Sequence, residues 1–180
     1  MNEKETKSIS KFLSYILRHA PETVGLQLDE NGWADVHELI TLCNSSQRKL
    51  DIEILQFVVE SNDKKRFAFN EDQTKIRASQ GHSIEVDLQM DPKEPPPFLY
   101  HGTVDKFIPA IRELGLQKMS RQHVHLSGDK ETALKVGGRR GKPVILVVQS
   151  GRMAEQGFTF YLSANGVWLC DEVPPQFIDF

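Results

Sequence analysis

Cysteine is scarce: the 180 residues hold only Cys43 and Cys170, 127 positions apart and in no CxxC pair. This excludes a disulfide framework and a thiolate zinc site, and it fits a reducing compartment with two ordinary buried thiols. No uncharged apolar run approaches the ~18 to 20 residues of a membrane-spanning helix. The opening MNEKETKSISK is too polar for a signal peptide. The expectation is a cytoplasmic protein with no membrane partner. GxxxxGK[ST] is missing, since Gly141-Lys142 runs into Pro143, which excludes a P-loop NTPase. GxGxxG is missing as well, because Gly137-Gly138-Arg139-Arg140-Gly141 lacks the spacing of a Rossmann fingerprint. There is no internal repeat, and no low-complexity segment beyond one proline run.

What remains is 39% hydrophobic and 26% charged, with 10 Phe among 15 aromatics, enough to close one large core or two small ones. The net charge of -3 is unevenly spread. Residues 1 to 91 carry 11 Lys and Arg against 16 Asp and Glu, and residues 92 to 180 carry 11 against 9. Residues 101 to 152 concentrate 10 basic side chains against 4 acidic ones, an excess suited to phosphates. A chain of this balance would meet nucleic acid through a focused pocket rather than a broad basic face.

Ile9, Phe12, Leu13, Ile16 and Leu17 recur at helical spacing, and Pro21 limits the helix they predict. Val36, Leu39, Ile40 and Leu42 predict a second helix. Ile52, Leu55, Val58 and Val59 predict a third, with Asp51 as its N-cap. Arg66-Phe-Ala-Phe and Lys75-Ile-Arg-Ala alternate around NEDQT, the pattern of a hairpin. Three helices and a hairpin suggest a winged-helix lobe over residues 1–91. MDPKEPPP, residues 90–97, holds four of the nine prolines and reads as a linker. Residues 92–180 then alternate short β-like runs with helical patches at 105–114 and 129–136, an α+β lobe.

Several motifs carry two readings each. His123 and His125, at i and i+2, could pair on a metal, but no third ligand is evident; polar side chains on an exposed strand face are the alternative. Arg18-His19 closes the first helix, where cations also complement the dipole. Lys64-Lys65-Arg66 could be a solvated charge run. Arg139-Arg140 lies among glycines that let backbone approach a ligand while the guanidiniums offer forked donors for phosphate oxygens. His101-Gly102-Thr103 follows FLY and is expected at that strand's C-terminal edge, where a glycine permits close ligand contact. Asn165-Gly166 reads as a hairpin turn before Trp168.

The stretches SKFLSYILRHAPETVGLQLDENGWADV, DKKRFAF, IRASQGHS, LYHGT, HVHLS, VGGRRGKPVIL and SANGVWLCDEVP, in this order, resemble the RNA 2′-phosphotransferase family of the KptA type. The resemblance implies a winged-helix RNA lobe joined to an ADP-ribosyltransferase-like lobe. It also implies an NAD-dependent enzyme that removes an internal 2′-phosphate from RNA, as in tRNA processing. The implied route passes through a 2′-phospho-ADP-ribosylated RNA intermediate to 2′-OH RNA, nicotinamide and ADP-ribose 1″,2″-cyclic phosphate. The family's essential residues fall on Arg18, His19, Arg66 and Arg139, which places the implied site in the cleft between lobes. His101, Gly102, Thr103, His125, Ser127, Asn165 and Gly166 fall on the implied NAD pocket. Gln80, Gly81, His82 and Ser83 match a family segment open to an RNA-phosphate role or to a buried polar network. Arg140 stands where the family usually has His, and Cys170 where Thr is common. NAD is the implied co-substrate, with no metal, and RNA the partner, with no obligate protein partner evident. The rivals are a non-enzymatic winged-helix regulator and an ADP-ribosyltransferase for other phosphate or protein acceptors.

Overall fold

The computed structural model describes residues 2–180 as a mixed helix and sheet (α+β) protein with small antiparallel sheets. The chain divides into two compact units, one ending at Gln89 and one spanning Met90–Phe180.

In the first unit α1 (Glu3–Arg18) is followed by β1 (Ala34–Asp35), α2 (Val36–Ser45), α3 (Ile52–Glu60), β2 (Phe67–Phe69) and β3 (Lys75–Ala78). Each helix begins where a side chain accepts from an otherwise unpaired N–H. Asn2 and Glu5 form a reciprocal capping box at α1, while Asp35 and Asp51 cap α2 and α3 through Glu38 N and Ile54 N. The stripe read along the first helix supplies Leu13, Ile16 and Leu17, all fully buried against Leu39, Leu55, Phe67 and Ile76. The hairpin pairs Phe67 with Ala78 and Phe69 with Ile76, and Ala34 of β1 joins the other edge of β3 opposite Ile76.

The second unit holds β4 (Leu99–Val104), α4 (Ile108–Leu114), β5 (Leu116–Gln117), β6 (Val124–Leu126), α5 (Lys130–Gly137), β7 (Pro143–Val148), α6 (Ser150–Glu155), β8 (Tyr161–Leu162), β9 (Trp168–Cys170), β10 (Glu172–Val173) and β11 (Ile178–Asp179). Its sheets are β11-β7-β4, β6-β9-β8 and β10-β5. Tyr100 and Ser127 exchange backbone hydrogen bonds of 2.9 and 2.8 Å, tying β4 to the end of β6. Leu99, Leu126, Leu146, Val148, Met153, Phe160 and Phe177 form the core. The proline-rich segment is bound to this unit rather than left as a free tether. Lys93 N donates to Phe160 O (2.8 Å), Ser150 Oγ to Pro96 O (2.8 Å) and Gly151 N to Pro97 O (3.0 Å).

His101-Gly102-Thr103 does not sit beyond its strand. The three residues lie within β4, paired with Leu146, Ile145 and Val144 of β7. The run continues because each backbone group finds a ladder partner, which outweighs the low strand preference of glycine. The helix α6 lacks a repeated apolar pattern, burying Met153 as its one large side chain, and so gave no periodic signal. Among the described residues no helix is long and apolar enough to cross a membrane.

Gly102 is fixed by packing. A Cβ there would lie 1.8 Å from Ala133 O and 2.9 Å from Gly137 N, both backbone atoms of α5. Gly137 faces it in turn, with Gly102 Cα 3.1 Å from its own would-be Cβ. Gly102→Ala is expected to destabilise the second unit by about 3 kcal/mol or more, because backbone cannot yield as a side chain can. Gly128→Ala, whose Cβ would meet only Trp168 Nε1 at 3.9 Å, is the control expected to fold as the wild type. Thermal denaturation of the two variants decides the point.

Candidate active site

The first unit gathers its cations through one short segment. Arg18 is the last residue of α1 and His19 its C-cap, with His19 N bound to Tyr15 O at 2.9 Å. Beyond α3 the chain turns through Lys65, whose φ of 45° is left-handed, and Arg66 follows directly before β2. Residues 79–83, leaving β3, contact both places. Ser79 N donates to Arg66 O (2.8 Å) and Ser79 Oγ to Lys65 O (3.0 Å). Gly81 turns the chain at φ 88°, and Ser83 then meets the end of α1: its N–H donates to Arg18 O (3.0 Å) and its Oγ lies 2.8 Å from His19 Nδ1. His19 is exposed, while Arg18 and Arg66 are half-buried.

His82 lies inside this turn, 1% exposed, and neither of its ring nitrogens has a protein partner. Burial, then the nearby charges of Arg18, His19 and Arg77, push its imidazole down to about 4. It is therefore neutral near pH 7. Gln80 is also buried, its Oε1 without a partner. Burial takes Gln80 and His82 off the surface, and their atoms without partners form no buried polar network. Ser83 alone of residues 79–83 is exposed.

In the second unit Arg139 and Arg140 occupy a 3-10 turn, Gly138–Arg140, that continues from α5, and both are exposed. Gly141 ends it at φ 139°, where only glycine is at ease. His101 Nδ1–H donates to His125 O at 3.0 Å, which leaves Nε2 as an acceptor. Burial lowers the His101 pKa against that bond, and the charge of Arg140 lowers it further. The Arg121 guanidinium donates to His125 Nδ1 (3.2 Å), so the neutral His125 ring carries its proton on Nε2. Partial burial and the Arg140 charge likewise lower the Arg121 pKa. Arg121 was not singled out in the sequence, although its spacing to His125 was visible. Thr103 is buried, and Ser127 is set by its bridge to Tyr100.

Asn165 and Gly166 do form a hairpin turn, between β8 and β9. It is a three-residue loop closed by Ser163 N to Val167 O (2.9 Å), with only Gly166 left-handed (φ 82°), rather than a two-residue Asn-Gly turn. Asn165 Oδ1 accepts from Ser163 Oγ. No group of three His, Cys, Asp or Glu among the described residues could hold a metal ion. Cys43 and Cys170 are buried and free. Burial raises both thiols, and Asp171 and Glu172 help push Cys170 up to about 12. A groove of about 870 Å³ lies between the proline-rich segment and α6, lined by Pro95, Phe98, Arg152 and Phe160; none of the expected site residues lines it.

Among the described residues Arg66, Arg139 and Arg140 form no ion pair with a carboxylate. Guanidiniums left available in this way can take anionic groups through charge-assisted hydrogen bonds. The comparisons give the class of protein. Residues 4–172 match the family described as "RNA 2′-phosphotransferase, Tpt1 / KptA family". Relatives bearing the name "Probable RNA 2′-phosphotransferase" occur in Flavobacterium johnsoniae, 66% identical over 100% of this chain and 99% of the relative. The Rhodopirellula baltica protein is 53% identical over 99% and 97%, and the Trichormus variabilis protein 56% over 99% and 98%. The chain belongs to this RNA 2′-phosphotransferase family, and membership makes it a transferase.

The His82 ring yields a pH test. Its folded pKa of about 4 lies below the ordinary 6.5, so the unfolded chain takes up the proton first as pH falls. This contribution to stability is complete above 6.5, declines as pH falls toward 4, and is then constant. The first unit is expected to lose on the order of 2 kcal/mol from this group between pH 7 and pH 5. Urea denaturation at the two pH values, compared with His82→Phe, measures it: the variant should lose correspondingly less.

Proposed function

We propose that the protein removes an internal 2′-phosphate from RNA by transfer to NAD, giving 2′-OH RNA, nicotinamide and ADP-ribose 1″,2″-cyclic phosphate. The observation that carries this reading is the segment Ser79–Ser83, which ties Arg66 to the Arg18-His19 helix end and so gathers three of the four residues the family resemblance assigns to catalysis. In this reading the first unit is a winged-helix RNA lobe, supported by its order of helix, short strand, two helices and hairpin. The second is an ADP-ribosyltransferase-like lobe that takes NAD. Its residues suit a dinucleotide: Arg121 and Arg140 offer charge for a diphosphate, and His101 Nε2 and His125 Nε2–H offer one acceptor and one donor.

The chemistry accounts for a site rich in cations. In the first step the 2′-phosphate, mostly dianionic near neutral pH because its second pKa is ~6, attacks the anomeric carbon of the nicotinamide ribose. Nicotinamide leaves with the bonding electrons. This nucleophile needs no general base, and a carboxylate beside it would repel it. In the second step the ribose 2″-OH attacks phosphorus and the RNA 2′-oxygen departs, taking a proton to become 2′-OH. Negative charge gathers on the phosphoryl oxygens, where Arg18, Arg66 and Arg139 act as donors and His19 binds phosphate or moves the proton. Those arginines supply the charge that a metal would supply elsewhere, so chelation should leave turnover intact.

Incubation with NAD and a short oligonucleotide bearing one internal 2′-phosphate, with every product identified, tests the reading. Parallel arms with 5′-phosphorylated strands and protein acceptors separate it from other ADP-ribosyl transfer. Arg139→Ala is expected to slow the second step more than the first, since each lost charge-assisted hydrogen bond costs about 1.5 to 3 kcal/mol, roughly tenfold to over a hundredfold in rate. Time courses should therefore show phospho-ADP-ribosylated RNA accumulating. Equal slowing of both steps would assign Arg139 to binding alone.

A further inference from the structure

We propose that Ser83 is a positioning residue for His19, holding the imidazole by Nδ1 so that Nε2 is the ring atom presented to the RNA phosphate. The inference rests on the functional reading above for the identity of that phosphate, and on the geometry of the first unit for everything else.

His19 stands at the exposed end of α1. It is exposed, it follows the last helical residue, and its own backbone is no longer helical, with φ -128° and ψ -43°. An exposed imidazole swings between rotamers on the ps to ns scale and exchanges its two neutral tautomers. For phosphate these states are unequal: only a ring with hydrogen on the outward nitrogen can donate to it.

Ser83 restrains the ring's rotation from two sides. Its N–H donates to Arg18 O (3.0 Å), which anchors the serine backbone on the end of α1. Its Oγ then stands 2.8 Å from His19 Nδ1, across 64 residues of sequence. The hydroxyl donates to Nδ1 when the neutral ring carries its proton on Nε2, and it accepts from Nδ1–H in the other tautomer and in the protonated ring. Ser83 serves every state because a hydroxyl both donates and accepts. The ring is therefore held by Nδ1 in all of them, and Nε2 stays the outward atom whether His19 only binds phosphate or also gives up a proton to the departing 2′-oxygen.

The serine is well supported for this task. Ser79, four residues earlier, is fixed by Arg66 O and Lys65 O. Gly81 makes the turn, and His82, next to Ser83 in sequence, is buried. Partners that orient a functional histidine in this way commonly change activity by roughly 10- to 100-fold when removed, without touching the substrate.

The test uses the full-length protein with Ser83→Ala and Ser83→Thr. Histidine-ring ¹³C relaxation spectra of the substrate-free protein should show the His19 ring ordered in the wild type and in Ser83→Thr, and mobile on the ps to ns scale in Ser83→Ala. In turnover of 2′-phosphorylated oligonucleotide with NAD, Ser83→Ala should lose kcat roughly 10- to 100-fold, with the KM for each substrate within about twofold. Ser83→Thr, which keeps the hydroxyl, should recover most of the rate. Unchanged spectra in Ser83→Ala, wild-type kcat in that variant, or equal impairment of the alanine and threonine variants would each overturn the proposal. A wild type that leaves the 2′-phosphate untouched would sink the functional reading instead, while the ring spectra would still decide whether Ser83 sets His19.

Discussion

The contact between β4 and α5 governs what the second unit can display. Two backbones meet there at a distance that admits no side chain: Gly102 lies against Ala133 O, and Gly137 lies against Gly102. Because α5 can settle that close to the strand, the turn that ends it delivers Arg139 and Arg140 beside β4, and the Arg140 charge reaches both His101 and Arg121. A helix lifted by even one methyl group would carry those guanidiniums away with it. Glycines in HGT and in VGGRRG are thus two halves of one packing contact. The side of Gly102 that would carry a Cβ is closed by the helix.

The first unit solves a similar problem with hydrogen bonds. A helix C-terminus and a hairpin start have no reason, from local sequence, to hold their cations in register. Residues 79–83 provide the link, bonded to Arg66 O at one end and to Arg18 O and His19 Nδ1 at the other. Burying His82 neutral within that link avoids adding another buried positive charge beside Arg18 and Arg77. The charge this leaves for the proposed phosphate chemistry is guanidinium and imidazole.

Much of the architecture was legible because its causes are local. The cap read at Asp51 acts within one turn, apolar stripes repeat every three or four residues, and NEDQT breaks the chain between two alternating runs. The strands β5 and β10 were not legible. Each has two residues, and each exists only because Leu116 and Gln117 pair with Val173 and Glu172 from the far end of the unit. The continuation of β4 through His101-Gly102-Thr103 was hidden for a related reason, since a glycine weakens a strand signal that the neighbouring β7 restores.

The same division runs through the candidate site. The sequence by itself determined which residue types could meet a phosphate, where the first helix ends at Arg18-His19, and, through seven ordered motifs, which family the chain resembles. The first two are matters of composition and short spacing, and the third is a resemblance carried by the motifs themselves. Only the tertiary structure decided that Ser83 would bond to His19, that Arg121 would hold His125, and that Gly102 would face Ala133 rather than open space. The first and last of these join residues that chain spacing leaves unrelated. Arg121 and His125 are near in sequence, but they lie in a turn and a strand whose directions are set by pairing elsewhere. Contacts of this kind follow from how the sheets and helices close over their cores, and no local propensity encodes that closure.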